Sequence, residues 1–250
     1  MSKLKERYEG KTFKSNNYGD FVVLEYVNKN NVTIKFNRTG GVRQTTTASI
    51  LKGNVLDYDV PSVFGVGIVD EQFRKQGVLH RMKSYKVWTA MLKRCYSNNN
   101  KDFYHTYEDC KVSDQFLRFR NFDEWCKQQV GFDVEHFDLD KDILSKGCKI
   151  YSENTCCFVP QEINKCLKGY KSKSIKTGVQ YHSRDKIYQT RGVVEGEYRH
   201  LGSFKTEEEA FLVYKKFKEV HVKSLAEKWK DQIDSRVYAA LINWEISIND

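Results

Sequence analysis

Two groupings of charge have residue types and spacing that suit chemistry. From Asp133 to Asp142 the chain gathers Asp133, Glu135, Asp138, Asp140 and Asp142, a density of carboxylates suited to binding a cation. From Lys165 to Lys176 it sets Lys165, Lys168, Lys171, Lys173 and Lys176 among small and polar residues. This second stretch reads as a basic linker, and against DNA each lysine that neutralised a phosphate would add to the salt dependence of binding. Lys35, Arg38 and Arg43 are a third, smaller basic set; they are either phosphate contacts or solvated surface. The seven cysteines (Cys95, Cys110, Cys126, Cys148, Cys156, Cys157 and Cys166) contain no Cys-x-x-Cys pair, so no zinc is expected. They read as small buried thiols, with a soft metal at the vicinal Cys156 and Cys157 as the alternative.

These groupings sit in 250 residues with 42 basic and 33 acidic side chains, a net charge of +9. A hydrophobic content of 40% excludes a wholly disordered chain. No apolar run approaches the roughly 18 residues of a membrane span. Met-Ser-Lys-Leu-Lys-Glu-Arg at the N-terminus lacks the apolar stretch of a secretory signal. The expectation is a soluble, cytoplasmic protein with no membrane partner. Residues 1–60 carry 10 basic against 6 acidic groups, residues 61–167 carry 16 against 15, and residues 168–250 carry 16 against 12. Basic flanks suit holding a polyanion, and a balanced centre suits a different task.

Three kinds of element must position these groups. Phe21–Val27, Val32–Phe36 and Val42–Ser49 read as strands separated by Asn- and Gly-rich turns, a small twisted sheet or barrel. Residues 61–83 read as a connection. Trp88, Met91, Leu92 and Cys95 then fall at helical spacing, and Phe122, Trp125 and Cys126 mark a second helix over Asn121–Val130; both tryptophans read as core. Three short strands follow the basic stretch, and Thr206 with Glu209 has capping-box spacing before a helix with Ala210, Val213, Tyr214 and Phe217 on one face. Residues 222–246 read as further helix, with Leu225, Trp229 and Ile233 on one face and Val237, Leu241 and Trp244 on another.

The run Leu139-Asp140-Lys141-Asp142-Ile143-Leu144, Gly147, and Tyr151-Ser152-Glu153-Asn154-Thr155-Cys156-Cys157-Phe158-Val159-Pro160-Gln161-Glu162-Ile163-Asn164 resembles the phage-encoded HNH endonuclease family, in its homing-endonuclease branch. Trp88-x-x-Met91-x-x-Arg94-Cys95-Tyr96 and Asn121-Phe122-x-x-Trp125 fit the same family. The resemblance implies a β-hairpin followed by a helix around one divalent ion, Mg²⁺ or Mn²⁺. The first strand would end near Asp140, the second would cover Cys156–Val159, and the helix would start near Gln161. Asp140 and Asn164 take the metal-ligand positions and Asn154 the middle Asn. Lys141 stands where the motif carries its catalytic His, and an ammonium is a poor base at neutral pH. Either His136 is swung in by a local irregularity, or Lys141 itself serves. Turn chemistry at a hairpin is the alternative role for Asp140 and Asp142.

Gly178-Val179, Leu201-Gly202-x-Phe204-x-Thr206 and Glu208-Glu209-Ala210 are similar to the APETALA2-type DNA-binding domain over about residues 176–221. That resemblance implies a sheet lying in the major groove, with Gln180, His182, Arg184, Lys186, Gln189, Arg191 and Arg199 as candidate contacts. Tyr188 replaces a usual Trp. The strand period puts Gln189 and Arg191 on one face and Tyr188 and Thr190 on the other. The expected fold class is α+β: an N-terminal β module (1–60), a connection (61–83), an HNH-like core (84–167), a basic linker (168–176) and a C-terminal three-stranded sheet with helices (177–250). The expected function is metal-dependent hydrolysis of double-stranded DNA, in bacterial host cytoplasm if phage-encoded. The rivals are a non-cleaving DNA binder or repressor, and a phage protein that binds a host protein.

Overall fold

The computed structural model describes residues 3–77, 79–97, 107, 109–167, 177–194 and 196–247. The fold is α+β, and the chain divides into two compact units, Met1–Glu124 and Trp125–Asp250.

The first unit opens with α1 (Lys3–Tyr8), followed by β1 (Thr12–Ser15), β2 (Gly19–Asn28), β3 (Asn31–Phe36) and β4 (Val42–Thr45). The four strands form an antiparallel sheet in sequence order. Alternation drives Phe21, Val23, Val32, Ile34 and Phe36 inward, where Tyr8, Ile50 and Val55 join them. A bulge between Val23 and Glu25 returns Tyr26 to the same core. The β-prone run from Val42 stops at Thr45, earlier than its residue types suggest. The Thr46 side chain accepts the Ser49 N–H at 3.1 Å and caps α2 (Thr47–Leu51), which turns the backbone out of the sheet. Arg43 is folded back on its own unit, 4.8 Å from the Tyr58 ring centroid and donating to the Leu56 carbonyl.

The stretch read as a connection carries α3 (Glu71–Gln76) and a short 3₁₀ turn, Leu79–Arg81. Arg118 ties it down, donating to Asp59 and Asp70 at 2.6 Å each. α4 (Lys83–Tyr96) buries Trp88, Met91 and Leu92 completely. The two-residue β5 (Lys111–Val112), α5 (Asp114–Leu117) and α6 (Phe119–Lys127) follow, and the division between the units falls within α6.

The second unit contains β6 (Phe137–Asp140), β7 (Ile150–Tyr151), β8 (Cys157–Pro160) and α7 (Gln161–Leu167). β6 and β8 pair antiparallel, from Phe137 opposite Pro160 to Asp140 opposite Cys157, and α7 starts at the next residue. Every residue of β8 is buried, so this strand is covered on both faces. β9 (Val179–His182), β10 (Ile187–Val194) and β11 (Glu197–Phe204) then form an antiparallel sheet with β10 in the centre. Thr206 and Glu209 make the capping box that starts α8 (Glu207–Trp229). No helix breaker intervenes between Phe217 and Leu225, so the two helices expected there are one. α9 (Ser235–Ile242) returns, and Trp244 and Ile246 pack back on the cluster of Val179, Ala210, Phe211 and Tyr214.

Candidate functional site

The β9–β11 sheet has one face on α8 and one face away from it, and burial separates the two. Thr190 is fully buried, with its hydroxyl donated to the Gly178 carbonyl at 2.7 Å. Gly192 lies under the Phe217 ring so closely that a Cβ would come within 2.1 Å. Tyr188, Leu201 and Phe204 pack toward the same side. Gln189, Arg191 and Val193 therefore alternate to the opposite face, and at the free edge of β10 they also line a cleft with Phe217, Lys218 and His221. Register carries that face across the sheet: Gln180 and Ser203 flank Gln189, His200 lies opposite Arg191, and Tyr198 lies opposite Val193. Gln180, Arg191, His200 and Ser203 are exposed, and so is Tyr198, at 63%. His182 shares this face by period, but it is partly buried. Arg184 and Lys186 are exposed on the turn between β9 and β10, where Lys186 takes a left-handed φ of 51°.

Arg199 belongs elsewhere. In a regular ladder it would face Val193, beside Arg191. The register shifts after Thr190, and this bulge places Arg199 opposite Gly192, on the side of α8. The same shift brings in His200, which no period read from the chain would select. Lys168, Lys171, Lys173 and Lys176 lie outside the described residues.

The hairpin holds the other candidates. Asp140 ends β6, and its Oδ1 accepts the backbone N–H groups of Asp142 and Ile143, both at 2.8 Å. This is the turn chemistry weighed as the alternative role. Its Oδ2 has no hydrogen bond among the described residues. Lys141 is 6% exposed; its Nζ donates to the Asp142 carboxylate and, at 2.8 Å, to the Cys148 carbonyl, and lies 5.7 Å from the Tyr151 ring centroid. A lysine so placed braces the loop between β6 and β7. An ammonium donating in this way has no lone pair to take a proton from water. His136 does have a local irregularity, a left-handed φ of 62°. It lies just outside the Phe137–Pro160 end of the ladder, however, with its carbonyl accepting the Gln161 N–H, whereas Asp140 is at the opposite end. Four residues of extended chain separate the two by about 13 Å, so no imidazole is supplied to Asp140 from there. Asn154 is exposed in the turn before β8. Asn164 is buried in the first half of α7, and no hydrogen bond joins it to Asp140.

Mg²⁺ takes one or two protein carboxylates and completes its shell with water and phosphate oxygens. The Asp140 Oδ2, without a hydrogen bond among the described residues, meets part of that demand as a single carboxylate oxygen. Among the described residues, no group of three or more His, Cys, Asp or Glu side chains is arranged to hold a metal ion. Cys156 and Cys157 are buried; burial pushes the Cys156 thiol up to about 12 and raises Cys157 as well. Both therefore stay protonated at neutral pH in the metal-free chain.

Burial pushes the Asp140 carboxyl above its ordinary value of 3.8; the two backbone N–H groups and Lys141 oppose the shift without cancelling it. Below the ordinary value the group is protonated in both states and costs nothing. As pH rises through the higher folded value, the unfolded state loses its proton more readily and folding stability falls. Asp140→Asn keeps an acceptor for both N–H groups and removes the buried charge. The variant is expected to match or exceed the wild type at pH 7, with the difference shrinking toward pH 4. Urea denaturation across that range checks this, and a variant less stable at pH 7 than at pH 4, relative to wild type, would contradict it.

No protein-family model, no curated protein and no solved structure matches the chain.

Proposed function

We propose that this chain binds double-stranded DNA, with the β9–β11 sheet as the reader and the hairpin of β6 and β8 with α7 as an HNH-like element beside it. The observation that carries the reading is the sheet face turned away from α8. It sets Gln180, Gln189, Ser203, Arg191 and His200 side by side on a rigid support, with Arg184 and Lys186 at its edge. The B-DNA major groove admits a β-ribbon, and Arg and Gln are the side chains that pair bidentately with guanine and adenine. The basic excess of residues 168–250 supports the same partner.

A labelled random-sequence duplex titrated at several salt concentrations tests this. The expectation is a dissociation constant of about 10⁻⁴–10⁻⁶ M at physiological salt, tightening at lower salt with a log–log slope of roughly −3 to −5. No affinity at low salt would overturn it and leave binding to a host protein as the better reading.

A second reading, metal-dependent phosphodiester hydrolysis, is favoured by the unengaged Asp140 Oδ2 in a hairpin-then-helix setting. Asp140 and Asn164 would hold Mg²⁺ or Mn²⁺, which when bound supplies Lewis-acid stabilisation of a scissile phosphate. Neither base that the motif suggests is available beside Asp140: Lys141 is tied into its loop and His136 is at the far end of the ladder. Supercoiled plasmid with either metal is therefore expected to stay intact. Nicking that Asp140→Ala abolishes would establish the second reading. A gain of nicking in Lys141→His would show that only the base is missing.

A further inference from the structure

One helix serves both halves of the second unit. α8 spans 23 residues, about 34 Å at the rise of an α-helix. Its first half lies on the sheet through Ala210, Phe211, Tyr214 and Phe217. Its last turn lies on the hairpin and its helix. The Trp229 ring meets Phe137 edge-on, with centroids 5.8 Å apart. Trp229 Nε1 and Lys228 Nζ both donate to Glu162 Oε2, at 3.0 and 2.7 Å. Midway, Lys218 Nζ donates to the Cys166 carbonyl at the end of α7. Phe137 opens the strand that ends in Asp140, so the Trp229 contact reaches the strand carrying the hairpin's carboxylate. The partners described in this joint all lie outside residues 168–176.

We infer that the sheet and the hairpin meet one duplex as a single rigid body, at a spacing fixed by α8, with Glu162 and Trp229 as positioning residues. The inference rests on the DNA-binding reading and adds a second contact surface at a set offset from the first. Two contact surfaces joined only by a linker bind with an effective concentration that falls as the linker lengthens. Two surfaces joined by packed side chains are indifferent to linker length. Dependence on linker length therefore distinguishes a positioning joint from a merely structural one.

The experiment uses the full chain with a Gly-Ser insertion carrying a protease site within residues 168–176, in the wild-type, Glu162→Ala and Glu162→Gln backgrounds, and random-sequence duplex at low salt as the probe. With Glu162 intact, the insertion should leave affinity within about twofold, and the two pieces should co-elute after cleavage. With Glu162→Ala, the insertion should weaken binding about tenfold and the cleaved pieces should separate. Glu162→Gln, which keeps an oxygen for the Trp229 N–H, should restore most of the wild-type behaviour. Trp229→Ala serves as a second variant, and should behave as Glu162→Ala if it folds. A tenfold loss from the insertion alone, or separation of the cleaved wild-type pieces, would overturn the inference while leaving DNA binding in place. Failure of the uninserted wild type to bind duplex would overturn the DNA reading and this inference together, and co-elution would then report the joint by itself.

Discussion

Replacing Gln189 and Arg191 together by Ala should lower affinity for a duplex selected from a random pool by the wild type about 10²–10³-fold, since each good bidentate base contact carries about 1–3 kcal/mol at its cognate base. The two side chains lie on the face of β10 turned from α8, Gln189 flanked by Gln180 and Ser203, and Arg191 opposite His200. Arg191 is exposed and Gln189 half-buried, and neither belongs to the cluster of Val179, Ala210, Phe211 and Tyr214 that packs the sheet on α8, so thermal melting should change little. Arg199→Ala is the control: the register shift turns Arg199 to the other side, and its affinity should stay within about threefold of wild type. Equal losses from Arg191→Ala and Arg199→Ala would mean that charge alone holds the duplex and that this face is not the reader. The salt slope separates the two roles of Arg191. A base contact leaves the slope unchanged, and a phosphate contact lowers it by about one.

Much of the fold is legible in the chain because local rules decide it. The alternation of Phe21, Val23, Val32, Ile34 and Phe36 marks a half-buried sheet, and these residues are its core. Thr206 and Glu209 mark a helix start, and both capping hydrogen bonds are present. Trp88, Met91 and Leu92 at helical spacing mark a buried face, and all three are fully buried. What escapes a local rule is set by pairing. Which face of β10 meets α8 is decided by Gly192, whose missing side chain admits Phe217; nothing in the alternation of that strand ranks one face above the other. The bulge after Thr190 exchanges Arg199 for His200 on the open face, and a register shift has no signature in a single strand.

The hairpin illustrates the same limit for chemistry. The order of two strands and a helix was readable, and it places Asp140 at the end of β6 and Asn164 on α7. The occupation of each group was not. The Asp140 carboxylate could serve a metal or a turn, and its two oxygens divide the question: Oδ1 serves the turn and Oδ2 is left over. A lysine at 141 is hard to place from the chain alone until its partners are known. Burial beside Asp142 and the Cys148 carbonyl makes it a brace between the limbs of a loop, a role for which a long flexible cation is suited.

Trp88→Ala should cost about 3–5 kcal/mol, the range for removing a large aromatic side chain from a packed core, and that is a large share of the stability of a small domain. Trp88 is fully buried, its ring 5.4 Å from Phe119 and 5.8 Å from Tyr85, and its Nε1 donates to the Phe116 carbonyl at 2.6 Å. The substitution empties the ring's volume and also takes the indole donor from that carbonyl. Trp88→Phe, which fills most of the volume but offers no donor, should cost about 1–3 kcal/mol and isolates the second loss. Gly67 supplies an internal check. A Cβ there would come within 2.6 Å of Leu92 and 2.7 Å of the Trp88 ring, so Gly67→Ala should destabilise the wild type by overpacking. In the Trp88→Ala background the new methyl meets a void in place of the ring, and its cost should shrink. Urea denaturation of the four proteins closes this cycle. Additive losses would mean that Gly67 and Trp88 are not energetically coupled through one packed site.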